Sequence, residues 1–201
     1  MLTQKKDATG ATSSTQKLYS IHALPSGREF VGKIEIGRGA YQFTFAPKTA
    51  AIVNGKLALT GAVKVKSPIG RRLLTDGVTA TLLGTQGSIT GPPPMPRQFS
   101  ESLKPPLQAP AGSPPLTDWT SHTGSVAVMY LKLAPLDGRA LGVPADLSSV
   151  QLNARLFATS EVERDLHWLY SALVEATQGE HPNEKLAADY LDAINRILKA
   201  G

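Results

Sequence analysis

The chain predicts a mainly β fold: an antiparallel β-sandwich or partly open barrel of about eight strands, ended by a C-terminal two-helix hairpin. Three observations carry that prediction. Apolar and polar residues alternate over long stretches between residues 28 and 90. Asn-Gly, Asp-Gly and Gly-x-Gly steps punctuate those stretches, as turns between antiparallel strands require. Near Ser160 the apolar period changes from two to about 3.6, the signature of a helix face.

Taken in order, residues 1–20 read as a flexible polar segment, rich in Thr, Ser, Gln and Gly from Thr3 to Gln16. An antiparallel β domain is expected over 21–158. Phe30, Ile34 and Ile36 share one face of a strand that ends at Gly37-Arg38-Gly39. Tyr41, Phe43 and Phe45 share one face of the next, expected to stop before Pro47 because proline has no N–H for a ladder. Asn54-Gly55 supplies the positive φ angles of a type I′ hairpin turn. In the strand that follows, 56–66, Leu57, Leu59, Val63 and Val65 have one parity and Lys56, Thr60, Lys64 and Lys66 the other. One face is therefore buried and one wet, with Gly61 marking a bulge or bend. Asp76-Gly77 reads as a further turn, leading into a strand at 78–83.

Nine of the fifteen prolines fall in 91–118. With so many ladder donors removed, this stretch is an extended loop interrupting the β domain. It serves as a linker, a docking segment for proline-recognition modules, or a strap across the sheet anchored by Phe99, Leu103, Leu107 and Leu116. Strands resume at 126–133, apolar at both parities except Lys132 and so expected to be covered on both faces. Asp137-Gly138 turns the chain, and Val150, Leu152, Ala154 and Leu156 alternate with Gln151, Asn153 and Arg155.

The helical hairpin is expected over 159–201. Ser160 with Glu163 forms a capping box, and Val162, Leu166, Leu169, Tyr170, Leu173 and Val174 stripe the first helix. Gly179 ends it and Pro182 suits the first turn of the second helix. Leu186, Tyr190, Leu191, Ile194 and Leu198 stripe that helix, and a short connection makes the pair antiparallel. If Tyr190 and Ile194 face solvent, the hairpin offers a homodimer interface.

The totals narrow the function classes. The 201 residues suffice for a core without staples, and the absence of cysteine removes disulfides and thiolate chemistry. No apolar run reaches the roughly 20 residues of a membrane-spanning helix, so the chain reads as soluble. No apolar signal core follows Lys5 and Lys6, which leaves a cytoplasmic protein or one whose leader has been removed. The polar lead-in favours the extracytoplasmic reading. The formal charge of +5 is unevenly placed: fourteen Lys/Arg face six Asp/Glu over 1–118, and seven face ten over 119–201. A basic β part and an acidic helical part either attract each other or present the front half to a polyanion.

Three constellations bear on chemistry. Asp118, Ser121 and His122 follow the Asp-His-Ser logic of nucleophilic catalysis, but no Gly-x-Ser-x-Gly elbow accompanies them, and Trp119 beside them reads as an anchor or ligand contact. Glu163 and His167, four apart on one helix face, can begin a metal site. The capping box already gives Glu163 a sufficient task, and His22 and His181 stand alone. Lys64, Lys66, Arg71 and Arg72 cluster around a turn at 67–70, with Lys48 and Lys56 expected nearby. Such a cluster suits an acidic polymer or a membrane surface. Sequence-specific nucleic-acid binding is not expected, because the aromatics read as core and not as a stacking platform. Gly37-Arg38-Gly39 lacks the third glycine of a dinucleotide fingerprint and Gly55-Lys56 lacks phosphate-loop spacing, so no cofactor is expected. The sequence therefore points to a non-enzymatic binding or structural module with a groove between the sheet and the proline-rich strap or the helices. A polyanion-binding protein is the first alternative and a hydrolase using Asp118 and His122 the second.

Overall fold

The computed structural model describes residues 17–86, 128–156, 160–178 and 182–200. Its strands are β1 (Tyr19–Ser26), β2 (Glu29–Ile36), β3 (Gly39–Val53), β4 (Lys56–Lys66), β5 (Arg72–Gln86), β6 (Val128–Leu133) and β7 (Val150–Arg155). Each pairs antiparallel with the next. β1 and β7 then pair in parallel, Tyr19 opposite Val150 and Ala23 opposite Ala154, and shut the ring. The architecture is thus a closed barrel, neither sandwich nor partly open, with seven strands among the described residues where about eight were expected. Residues 139–143 make no strand. The Asp137 carboxylate accepts the backbone N–H groups of Arg139 and Ala140, which winds the chain into turns.

Two further expectations are corrected by bulges. β3 runs straight through Pro47 to Val53. Pro47 lies beyond the last β2 pair, Phe30 with Phe45, and at a register shift against β4, the settings in which a strand tolerates proline. Asp76-Gly77 is no turn but an irregularity inside β5: the register against β4 slips between Gly61 and Val63, opposite Val78 and Thr75. Gly77 holds φ 72°, the left-handed conformation of a glycine bulge. Opposite it, Gly61 is demanded by space, since a Cβ there would overlap the Ala46 carbonyl and the Pro47 backbone. The Asn54-Gly55 hairpin forms with positive φ at both residues.

Inward residues fill the barrel: Ile21, Phe43, Phe45, Leu59, Leu131 and Leu152 are fully buried. The interior is thus a packed core. β6 is covered on one face only, with Met129, Leu131 and Leu133 buried, Tyr130 half-buried and Lys132 exposed. The connection after β6 closes one end of the barrel with Leu136, Leu141, Val143 and Leu147. The helices α1 (Glu161–Gln178) and α2 (Glu184–Lys199) lie over the other end.

The capping box forms, Ser160 Oγ accepting from the Glu163 N–H and Glu163 Oε2 from the Ser160 N–H. Pro182 sits one residue before the N-cap Asn183, not in the first turn; Asn183 Oδ1 accepts from the Leu186 N–H. Three polar links dock the hairpin: the Gly27 N–H donates to Glu163 Oε1 at 2.7 Å, Gln178 donates to the Gly55 carbonyl, and Asn195 pairs twice with Ala50. The last matters because β3 beyond Phe45 has no β2 neighbour. Asn195 Oδ1 takes the Ala50 N–H and its Nδ2 donates to the Ala50 carbonyl, standing in for a strand. Tyr190 and Ile194 are buried, Tyr190 edge-on against Trp168 at 5.6 Å. Their stripe is spent on the fold, which removes the exposed patch on which a helix-mediated homodimer was expected to rest.

Candidate anion-binding face

Alternation sends Val63 and Val65 inward and Lys64 and Lys66 outward. Register then decides what stands beside them. Lys33 on β2 is opposite Gln42 on β3, Gln42 opposite Lys66 on β4, and Lys66 opposite Arg72 on β5. These four outward side chains form one row crossing four strands, and neighbouring strands are about 4.8 Å apart. The next row holds Thr44, Lys64 and Leu74. Between the rows lies a groove of about 330 Å³, lined by Gln42, Thr44, Lys64, Lys66, Arg72 and Leu74 among others. Thr44, outward yet buried, lies within it.

The groove's charge is largely uncompensated. Glu29 takes Lys64 at 2.6 Å. Lys33, Lys66, Arg71 and Arg72 have no carboxylate within ion-pair distance among the described residues. Arg71 lies in the β4–β5 turn, held by its N–H to Ser67 Oγ and by its carbonyl, which accepts from the Ser67 N–H. A Cβ on Gly39, the first residue of β3, would come within 3.2 Å of the Pro68 ring of that turn, so the adjoining β2–β3 turn with Arg38 lies at the same end. Of the predicted basic cluster, Lys66, Arg71 and Arg72 stand together with Lys64. Lys48 is drawn off by Asp76. Lys56 is not nearby: it begins the strand that Lys66 ends, about 30 Å away at roughly 3.3 Å per residue. Sequence reasoning missed Lys33, Arg38 and Gln42, which join the site only through cross-strand register. Ammonium, guanidinium and amide donors in a row can bind successive oxyanions, and no carboxylate or imidazole lines the groove.

No family model matches the chain, and no curated protein or solved structure does either.

Glu163 and His167 come together at the opposite end of the barrel, both buried. Both Glu163 oxygens accept backbone N–H groups, so the carboxylate serves helix capping and docking. The His167 ring lies nearly parallel to Phe30, centroids 6.5 Å apart, and its Nδ1 is buried without a hydrogen-bond partner among the described residues. Burial pushes the imidazole pKa down to about 4, against the opposing pull of the Glu163 charge and the Leu156 backbone. Among the described residues no group of three His, Cys, Asp or Glu gathers as a metal site. Burial, aided by Glu175 and Asp189, raises the Tyr190 phenol to about 12. Asp118, Trp119, Ser121 and His122 lie outside the described residues, as does the proline-rich segment 91–118. No helix among the described residues is long and apolar enough to cross a membrane.

Proposed function

We propose that this barrel is a non-enzymatic binding module holding a polyanionic partner on the outer face of β2–β5. One observation carries the reading: Lys33, Gln42, Lys66 and Arg72 stand directly opposite one another across four strands, beside a groove. Scattered surface lysines have no such order, and a row at strand spacing matches a partner with repeated charge. On this reading the ligand groove is the one on the barrel wall, in place of a groove between the sheet and the strap or helices. The test is retention on immobilised heparin at rising salt. The native protein is expected to elute late, the Lys66→Gln/Arg72→Gln double variant clearly earlier, and Lys56→Gln, far along the same strand, with the native protein. Equal elution of the double variant and the native protein would refute the reading.

A further inference from the structure

The basic face continues onto a turn with an unusual apolar residue at its tip. Ile69 is 90% exposed, well above every other large exposed apolar side chain among the described residues. It is not a floppy excursion: the Gly70 N–H donates to the Ser67 carbonyl and the Ser67 N–H to the Arg71 carbonyl, so the turn holds Pro68 and Ile69 outward. Lys66, Arg71 and Arg72 flank it, and Arg38 comes up on the adjoining turn. Leu74, 55% exposed, adds apolar surface to the groove behind. At the same end Asp137 and Asp146 have carboxylates engaged by backbone N–H groups, and Glu35 stands one row from Lys33 on β2. The net-acidic helical part lies over the opposite end.

A soluble polyanion gives no role to a bare isoleucine. A bilayer does: cations settle among anionic headgroups while an apolar tip enters the acyl boundary. We infer that the polyanionic partner is an anionic lipid surface, on which the barrel docks end-on with Ile69 inserted and Lys66, Arg71, Arg72 and Arg38 around it. This rests on the groove reading above and adds the chemical class of the partner.

The experiment is co-sedimentation of the whole chain with vesicles of phosphatidylcholine alone or with added phosphatidylserine, run beside heparin retention. Binding is expected only to the anionic vesicles. Ile69→Ser is expected to weaken it about tenfold while leaving heparin elution unchanged. Lys66→Gln/Arg72→Gln is expected to weaken it about thirtyfold and to shift heparin elution as well. Ile69 touches solvent on nearly all sides, so its replacement leaves the fold intact. Heparin retention without vesicle binding, or vesicle binding indifferent to Ile69→Ser, would overturn the lipid assignment and leave the groove reading standing. Tighter retention on duplex nucleic acid than on anionic vesicles would likewise transfer the site to another polymer. Loss of both heparin and vesicle binding would remove the two readings together.

Discussion

Acidification is expected to loosen the seat of α1 on the barrel, and one side chain sets the scale. His167 is 3% exposed, packed beside Phe30, which also meets Tyr170, with a folded-state pKa near 4 against an ordinary 6.5. In the unfolded chain it takes up a proton on passing below about 6.5, whereas in the folded protein it resists until about 4. The unfolded state therefore binds more protons throughout that window, and stability is fully present above it and lost as pH falls across it. A separation of about 2.5 pKa units corresponds to about 3 kcal/mol at its limit, of which about 2 kcal/mol is lost between pH 7 and roughly 4.5. Urea unfolding at a series of pH values measures it, with His167→Gln as the comparison. That variant is expected to be less stable at neutral pH but to keep a flatter pH profile, the difference between the curves being about 2 kcal/mol. The ring resonance of His167 in an NMR titration reports the same pKa directly. Parallel pH profiles for the two proteins, or a His167 midpoint near 6.5, would refute the reasoning.

Two other substitutions probe the helical cover. Asn195→Ala leaves the Ala50 N–H and carbonyl, bonded at 2.8 and 3.0 Å, without partners; it is expected to cost about 2 kcal/mol and to speed hydrogen exchange at the Ala50 amide, and unchanged exchange would count against the strand-substitute role. Tyr170 is fully enclosed and its hydroxyl has no partner among the described residues, so Tyr170→Phe is expected to be neutral or to stabilise by about 1 kcal/mol, an unfolding free energy lowered by more than that being the contrary result.

Much of the architecture was legible because period and turn chemistry agree. The 56–66 strand, its Asn54-Gly55 turn and the Ser160 capping box follow from local residues alone, and each forms. What escaped were decisions made at a distance. β1 shows Ile21 and Ala23 alternating with exposed His22 and Leu24, but this short run ends on Pro25 and looks unremarkable until β7 is placed beside it. Asp76-Gly77 has the composition of a turn, and only the neighbouring strand, already committed to Gly61, keeps it inside a ladder as a bulge. Pro47 likewise reads as a stop until the missing β2 neighbour and the register shift are seen. The candidate site divides the same way. Lys64, Lys66, Arg71 and Arg72 are close in sequence and were legible. Lys33 and Gln42 became their neighbours through pairing register, which no local pattern announces. Lys56 shares the parity of Lys66 and was misplaced because parity fixes a face and not a position along it.

The parallel seam between β1 and β7 has a consequence for the order of events in folding. Each antiparallel neighbour is a step along the chain, so hairpins such as β3–β4 can assemble early, within microseconds of their residues being free. The seam joins Tyr19 to Val150, and no shorter route closes the sheet. On a ribosome adding about 5–20 residues per second, β1 waits several seconds or more for its last partner, during which both margins of the sheet expose unpaired backbone. Such long-range pairing slows folding and invites association between nascent chains in that interval. Lys33, outward on β2, lies one strand in from the β1 margin, and Lys132, outward on β6, lies on the strand that is the other margin until β7 joins; like charges there repel between two nascent sheets.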